Sequence, residues 1–138
     1  MASGTGFLNV DLEIGAKRKP AALLEALGER LHGLWVGRFK GLYRASYELP
    51  HVKVLDPTET ILELVRIVKK LTGPARKEWD AAQLRDFNVG IQSAAEPYTF
   101  EYAVEPRAVA RVAEVGGQIG ITVYAPLPKP LPRRRAAR

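Results

Sequence analysis

Residues 7–14 read Phe7-Leu8-Asn9-Val10-Asp11-Leu12-Glu13-Ile14. Leu8, Val10, Leu12 and Ile14 alternate with Asn9, Asp11 and Glu13, a period of two that marks a strand with one buried and one wet face. The alternation returns twice. Phe87 to Ser93 sets Phe87, Val89 and Ile91 inward, and Gln118 to Tyr124 does the same with Ile119, Ile121 and Val123. Together the three stretches predict a sheet sealed on its aliphatic side and solvated on its polar side.

Helical periodicity fills the intervals. Pro20 suits the first turn of a helix, where a missing N–H costs nothing. Leu24, Leu27 and Leu31 then form one stripe, with His32 at the helix end and Gly33 as its stop. Asp56-Pro57-Thr58-Glu59 combines a capping carboxylate, a proline with preset φ and an acid that opposes the macrodipole. Ile61, Leu64, Val65, Val68 and Leu71 form the stripe of that second helix. Gly73-Pro74 closes it and opens a third, through Arg85, with Trp79 and Ala82 toward the core. Glu105-Pro106 starts a short fourth helix, with Val109, Val112 and Ala113 inward, that ends at Gly116-Gly117.

Two further segments read as β structure. Leu34 to Leu49 is either one long bent strand or a hairpin turning near Lys40-Gly41. Phe39, Tyr43, Ala45 and Tyr47 fall on one face, and Arg38, Lys40, Arg44, Ser46 and Glu48 on the other. Tyr98 to Val104 reads as a hairpin partner for 87–93. The order β-α-β(β)-α-α-β-β-α-β predicts an α+β fold: a ferredoxin-like-related mixed or antiparallel sheet with helices on one face. A doubly wound parallel sheet would need a helix between successive strands, and residues 87–104 offer none.

A chain of 138 residues suits one domain. The expected division is a flexible N-terminus over 1–6, the α+β domain over 7–125, and a disordered Pro/Arg-rich tail over 126–138. In that tail, prolines 126, 128, 130 and 132 block helix and ladder alike. The net charge of +6 belongs largely to the tail, because Lys129, Arg133, Arg134, Arg135 and Arg138 supply five of those charges. The folded part is therefore near neutral, without the basic surface usual for nucleic-acid binding. There is no cysteine, which removes disulfides, thiolate zinc sites and thiol catalysis together. No signal peptide or membrane span is legible, and the cytoplasm is the expected location.

No catalytic, cofactor-binding or metal constellation emerges. His32 and His51 lack H-x-x-x-H spacing, the serines lack a G-x-S-x-G context, and Gly4-Thr5-Gly6 precedes a strand rather than following one. The candidate partner-binding residues are Asp11, Glu13 and Glu101 on the wet sheet face, with Trp35, Arg38, Lys40 and Arg44 on an aromatic, cationic edge. Ordinary cross-strand charge pairing, worth a fraction of a kcal/mol, also accounts for these charges, and core filling accounts for the aromatics. Arg133, Arg134, Arg135 and Arg138 form a candidate anion-binding arm, although four cations neutralise only about four phosphates.

The strand at 7–14, the stretch Trp79-x-x-Ala82-x-x-Arg85-x-Phe87-Asn88-Val89-Gly90-Ile91 and the closing Ile119-x-Ile121-x-Val123-Tyr124 resemble small uncharacterised bacterial α+β domains, some of them immunity proteins encoded beside toxins. The resemblance spans most of residues 7–125 and carries no functional residues over. The lack of a strongly acidic surface departs from immunity proteins that mimic nucleic acid. The leading expectation is a non-enzymatic protein-binding module, an immunity or accessory protein. The alternatives are nucleic-acid binding through the basic tail and an enzyme using carboxylates on the sheet. Homo-oligomerisation through an edge strand is compatible with all three.

Overall fold

The computed structural model describes residues 4–50 and 56–126. Its elements are β1 (Gly6–Ala16), α1 (Ala21–Gly28), β2 (His32–Phe39), β3 (Leu42–Glu48), α2 (Pro57–Lys69), α3 (Gly73–Ala81), β4 (Leu84–Gln92), α4 (Pro106–Glu114) and β5 (Gln118–Tyr124). They build one five-stranded mixed sheet in the order β2-β3-β1-β4-β5. β2–β3, β3–β1 and β1–β4 are antiparallel, and β4–β5 is parallel. β1 and β2 therefore run the same way with β3 between them. β3 and β4 likewise flank β1. These two split βαβ units give the ferredoxin-like core its form. To that core the chain adds α3 after α2, and the crossover α4 that any parallel pair requires before β5.

The core lies between the sheet and all four helices. Val10, Leu12 and Ile14 of β1, Phe87 and Val89 of β4, and Ala45 and Tyr47 of β3 meet Leu23, Leu27, Leu64, Val68, Trp79 and Val112. Trp79 is fully buried, donates its indole N–H to the Val115 carbonyl at 2.9 Å and meets Phe87 edge-on. Asp56 caps α2 as expected, its Oδ1 accepting from the Glu59 N–H at 2.8 Å. At Gly117 an added Cβ would sit 2.7 Å from the Phe87 ring, so the chain can pass that close to β4 only without a side chain.

Several expectations are corrected. The inward residue at the start of β1 is Phe7, not Leu8. A register shift between Phe7 and Asn9 bulges Leu8 out to 55% exposure and returns Phe7 to the helix side, against Tyr102. Leu34–Leu49 is a hairpin, with Lys40 and Gly41 both at positive φ (52° and 80°) in its two-residue turn. His32 opens β2 rather than closing α1. Helix α3 stops at Ala81, because Leu84 and Arg85 pair with Gly15 and Ile14 of β1.

Tyr98–Val104 forms no strand. Both sides of β4 are taken by β1 and β5, so the segment instead folds Phe100 and Tyr102 over the end of the sheet. In α4 the inward residues are Ala108 and Val112, with Val109 46% exposed. Thr5 is tied to the 93–97 loop, its N–H donating to the Glu96 carbonyl and its Oγ1 accepting from the Ala94 N–H. His51 and tail residues 127–138 lie outside the described residues.

Candidate functional site

The helix-free face of the sheet gathers most of the polar side chains singled out in the sequence. Because residues two apart share a face, the register places Asn9, Asp11 and Glu13 of β1 beside Arg44, Ser46 and Glu48 of β3. Asp86 and Asn88 of β4 lie on the other side of β1, and Gly120 and Thr122 of β5 lie beyond them. One cross-strand row runs Trp35, Ser46, Glu13, Asp86, Gln118 through every strand.

That row sets Glu13 directly opposite Asp86, two like charges on neighbouring strands, an unfavourable pairing. Arg44 offsets it in part, with its guanidinium 3.7 Å from Glu13. Asn9 donates to Glu48 at 3.0 Å. Thr122 Oγ1 donates to the Asn88 side-chain Oδ1 at 2.8 Å, and the Asn88 Nδ2 donates to Asp86 Oδ2. The Asp86 carboxylate reaches across β5 at Gly120, where a Cβ would come within 2.6 Å of it. Asp86 is only 7% exposed. Among the described residues, its Oδ1 and the Arg44 Nε are buried without a hydrogen-bond partner in the protein.

The electrostatics follow from this crowding. Burial raises the Asp11 carboxyl from 3.8 to about 6, with further upward pushes from the Glu48 and Glu13 charges. Burial also raises Glu13, the Asp86 charge adds to the rise, and Arg44 opposes it. Both carboxyls are thus less acidic than in water because the charged form is half desolvated beside its own kind.

The expected site residues separate. Asp11, Glu13, Arg44 and Trp35 do share this face. Arg38 does not. The two-residue turn pairs Phe39 with Leu42 and Arg38 with Tyr43, so Phe39 joins the open face and Arg38 leaves it. Lys40 sits in the turn with its ammonium 5.3 Å from the Phe39 ring centre, and Arg44 lies 5.6 Å from the same ring. Glu101 is in the 93–105 connection and lines a groove on the helix side with Pro57, Val89 and Ile91. The expected Asp11/Glu13/Glu101 group is therefore not assembled. Glu48 and Asp86 take its place, Asp86 because β4 begins earlier than its alternation suggests. With Arg38 gone, the face carries Asp11, Glu13, Glu48 and Asp86 against Arg44.

No family model, curated protein or solved structure matches this chain. Among the described residues, no group of three or more His, Asp or Glu side chains is placed to hold a metal ion. No helix there is long and apolar enough to cross a membrane.

The face has a recognisable layout. Trp35 and Phe39, 46% and 51% exposed, flank its β2 edge. Half-desolvated carboxylates occupy its centre. Glycines also lie along it, with side chains packed over them: the Asp86 carboxylate over Gly120, the Trp35 ring over Gly37 and the Arg44 stem over Gly15. Such a surface accepts N–H donors and flat apolar groups. It repels phosphate.

Proposed function

We propose that this protein is a non-enzymatic binding module, an immunity or accessory protein, that docks a basic surface of another protein on the open face of its sheet. The observation that carries the reading is the carboxylate row beside an exposed aromatic pair: Glu13, Asp86, Asp11 and Glu48 with Trp35 and Phe39. Exposed aromatics are enriched among the anchors of protein interfaces. Carboxylates already half desolvated lose less hydration when a partner covers them. A lysine or arginine set among them would relieve the repulsion they exert on one another. The same charges weigh against nucleic acid on this face, and the basic tail of the alternative reading lies outside the described residues. An enzyme of the carboxylate type needs an acid and a base in a sheltered pocket, whereas Asp11 and Glu13 stand on a sheet face that none of the described helices covers.

The test is affinity capture from the native cell with the full chain and with two variants, Glu13→Arg and the pair Trp35→Ala with Phe39→Ala. The expected result is one co-purifying protein with a basic surface, lost from both variants. Its affinity should fall as salt rises and as pH drops through about 6, where Asp11 takes up a proton. A partner retained equally by all three baits, or none at all, refutes the reading.

A further inference from the structure

We propose that the chain pairs with a second copy of itself through β5, antiparallel and about a two-fold axis at Ile121, joining two sheets into one. The sheet has two edges, β2 and β5. Edge strands are ordinarily protected by charge, proline or a bulge. β2 has such protection: His32 and Arg38 lie along it, and its register shifts between Gly33 and Trp35. β5 has none. Its sequence, Gln-Ile-Gly-Ile-Thr-Val-Tyr, holds no charge and no proline, and its register against β4 is unbroken from Gln118 to Tyr124.

The side chains of β5 are equally unguarded. Ile119, Ile121 and Val123 are in register with Phe87, Val89 and Ile91, hence on the helix side. Helix α4 shields that side only near Ile119. Ile121 and Val123 are left 67% and 60% exposed. Ile121 lines the groove formed with Pro57, Phe100, Tyr102 and Val104, about 670 Å³ in volume. An aliphatic stripe thus runs beyond the helical layer and stops at a backbone edge that, among the described residues, no strand pairs with.

The strand is complementary to its own reverse. With Ile121 on the axis, Ile119 faces the second copy's Val123, and Ile121 faces its counterpart. On the other side of the sheet Gly120 faces the second copy's Thr122, and Gln118 its Tyr124. Apolar thus meets apolar on the helix side, and each contact off the axis occurs twice, as a closed two-fold interface requires. A two-fold axis normal to the sheet requires the antiparallel sense, and it sets the two copies of Tyr124 at opposite ends of the joined strands, about 20 Å apart at 3.4 Å per residue.

The area is of the right order. Ile121, Val123, Tyr124 and Tyr102 stand 67%, 60%, 49% and 51% exposed. With large side chains offering roughly 150–250 Å² each, they present on the order of 400 Å² per copy. The backbone edge and the groove walls bring the pair toward the roughly 1,200 Å² at which specific interfaces begin.

Light scattering on the full chain, from low to high micromolar, tests this. The expected mass is twice that of the chain at the upper end. Ile121→Lys should raise the dissociation constant at least about tenfold by setting like charges across the axis, while Trp35→Ala with Phe39→Ala leaves it unchanged. Because the chain has no cysteine, Ile121→Cys supplies a second measurement that keeps the strand apolar. Mild copper–phenanthroline oxidation should link two copies of that variant at least about tenfold faster than two copies of Leu34→Cys on the other edge, since facing side chains on antiparallel strands lie about 5 Å apart. A monomeric chain at every concentration, a dimer that Ile121→Lys leaves intact, or equal cross-linking at the two edges overturns the proposal.

Discussion

Replacing Asp11 by asparagine should make the protein more stable at neutral pH, although it removes a charged group and adds no contact. The native fold disfavours ionised Asp11, whose carboxyl rises from 3.8 to about 6 through burial and the neighbouring Glu48 and Glu13 charges. Below pH 3.8 the side chain is neutral in both folded and unfolded chains, so it favours neither. Between there and about 6 the folded chain holds a proton that the unfolded chain releases, and stability falls as pH rises. Above about 6 the loss is complete.

Fully converted, a shift of that size is worth about 3 kcal/mol. Asp11 is only half-buried, and solvent screening reduces this to about 1–1.5 kcal/mol. Asp11→Asn should recover that amount at pH 8, a rise in Tm of about 3–6 °C, and recover almost nothing at pH 4. Urea unfolding followed by the fluorescence of buried Trp79, for both proteins at both pH values, measures the difference directly. A variant less stable than the parent at pH 8 would mean that the fold welcomes the Asp11 charge, and a gain of equal size at pH 4 would mean that the gain does not come from ionisation; either result refutes the reasoning.

Three further outcomes follow from packing and capping. Gly120→Ala should cost about 1–3 kcal/mol, because the new Cβ meets the Asp86 carboxylate at 2.6 Å; most of the loss should vanish when Asp86→Ser is combined with it, as chemical denaturation of the double-mutant cycle will show. Trp79→Phe should cost about 2–4 kcal/mol, since it leaves the buried Val115 carbonyl unpaired and opens space beside Phe87; an unchanged urea midpoint would contradict that role. Asp56→Ala should cost about 1 kcal/mol through loss of the cap on the Glu59 N–H, read as a lowered Tm with the far-UV spectrum intact.

Much of the architecture was legible in local patterns. The alternation in 7–14, 87–93 and 118–124 marks three strands that do lie together as β1, β4 and β5. The Asp56-Pro57 and Glu105-Pro106 starts mark α2 and α4 because capping is decided within a few residues. The misread elements depend on partners distant in sequence. Phe100, Tyr102 and Val104 alternate like a strand, yet β4 has no free side to pair with. Leu8 fits the period, yet the bulge against Gly90 expels it.

The candidate site was legible to the same depth. Asp11, Glu13 and Arg44 follow from parity within their own strands. Arg38 and Phe39 exchange faces because parity is reset across a two-residue turn, and a reading that leaves hairpin and bent strand open cannot fix it. Asp86 was missed because its strand begins within what resembles a helix end, and only pairing with Glu13 across the sheet reveals it.

The turn at Lys40-Gly41 also acts as a selector for surface charge. Every side chain from His32 to Phe39 has its orientation set by the length of that two-residue loop. One residue inserted there, with β3 held in place, would rotate Arg38 in among the carboxylates and carry Trp35 and Phe39 round to the helices. A lineage bearing this hairpin therefore has a way to lower or restore the acidity of one whole surface by a single codon gained or lost, with no substitution in any strand.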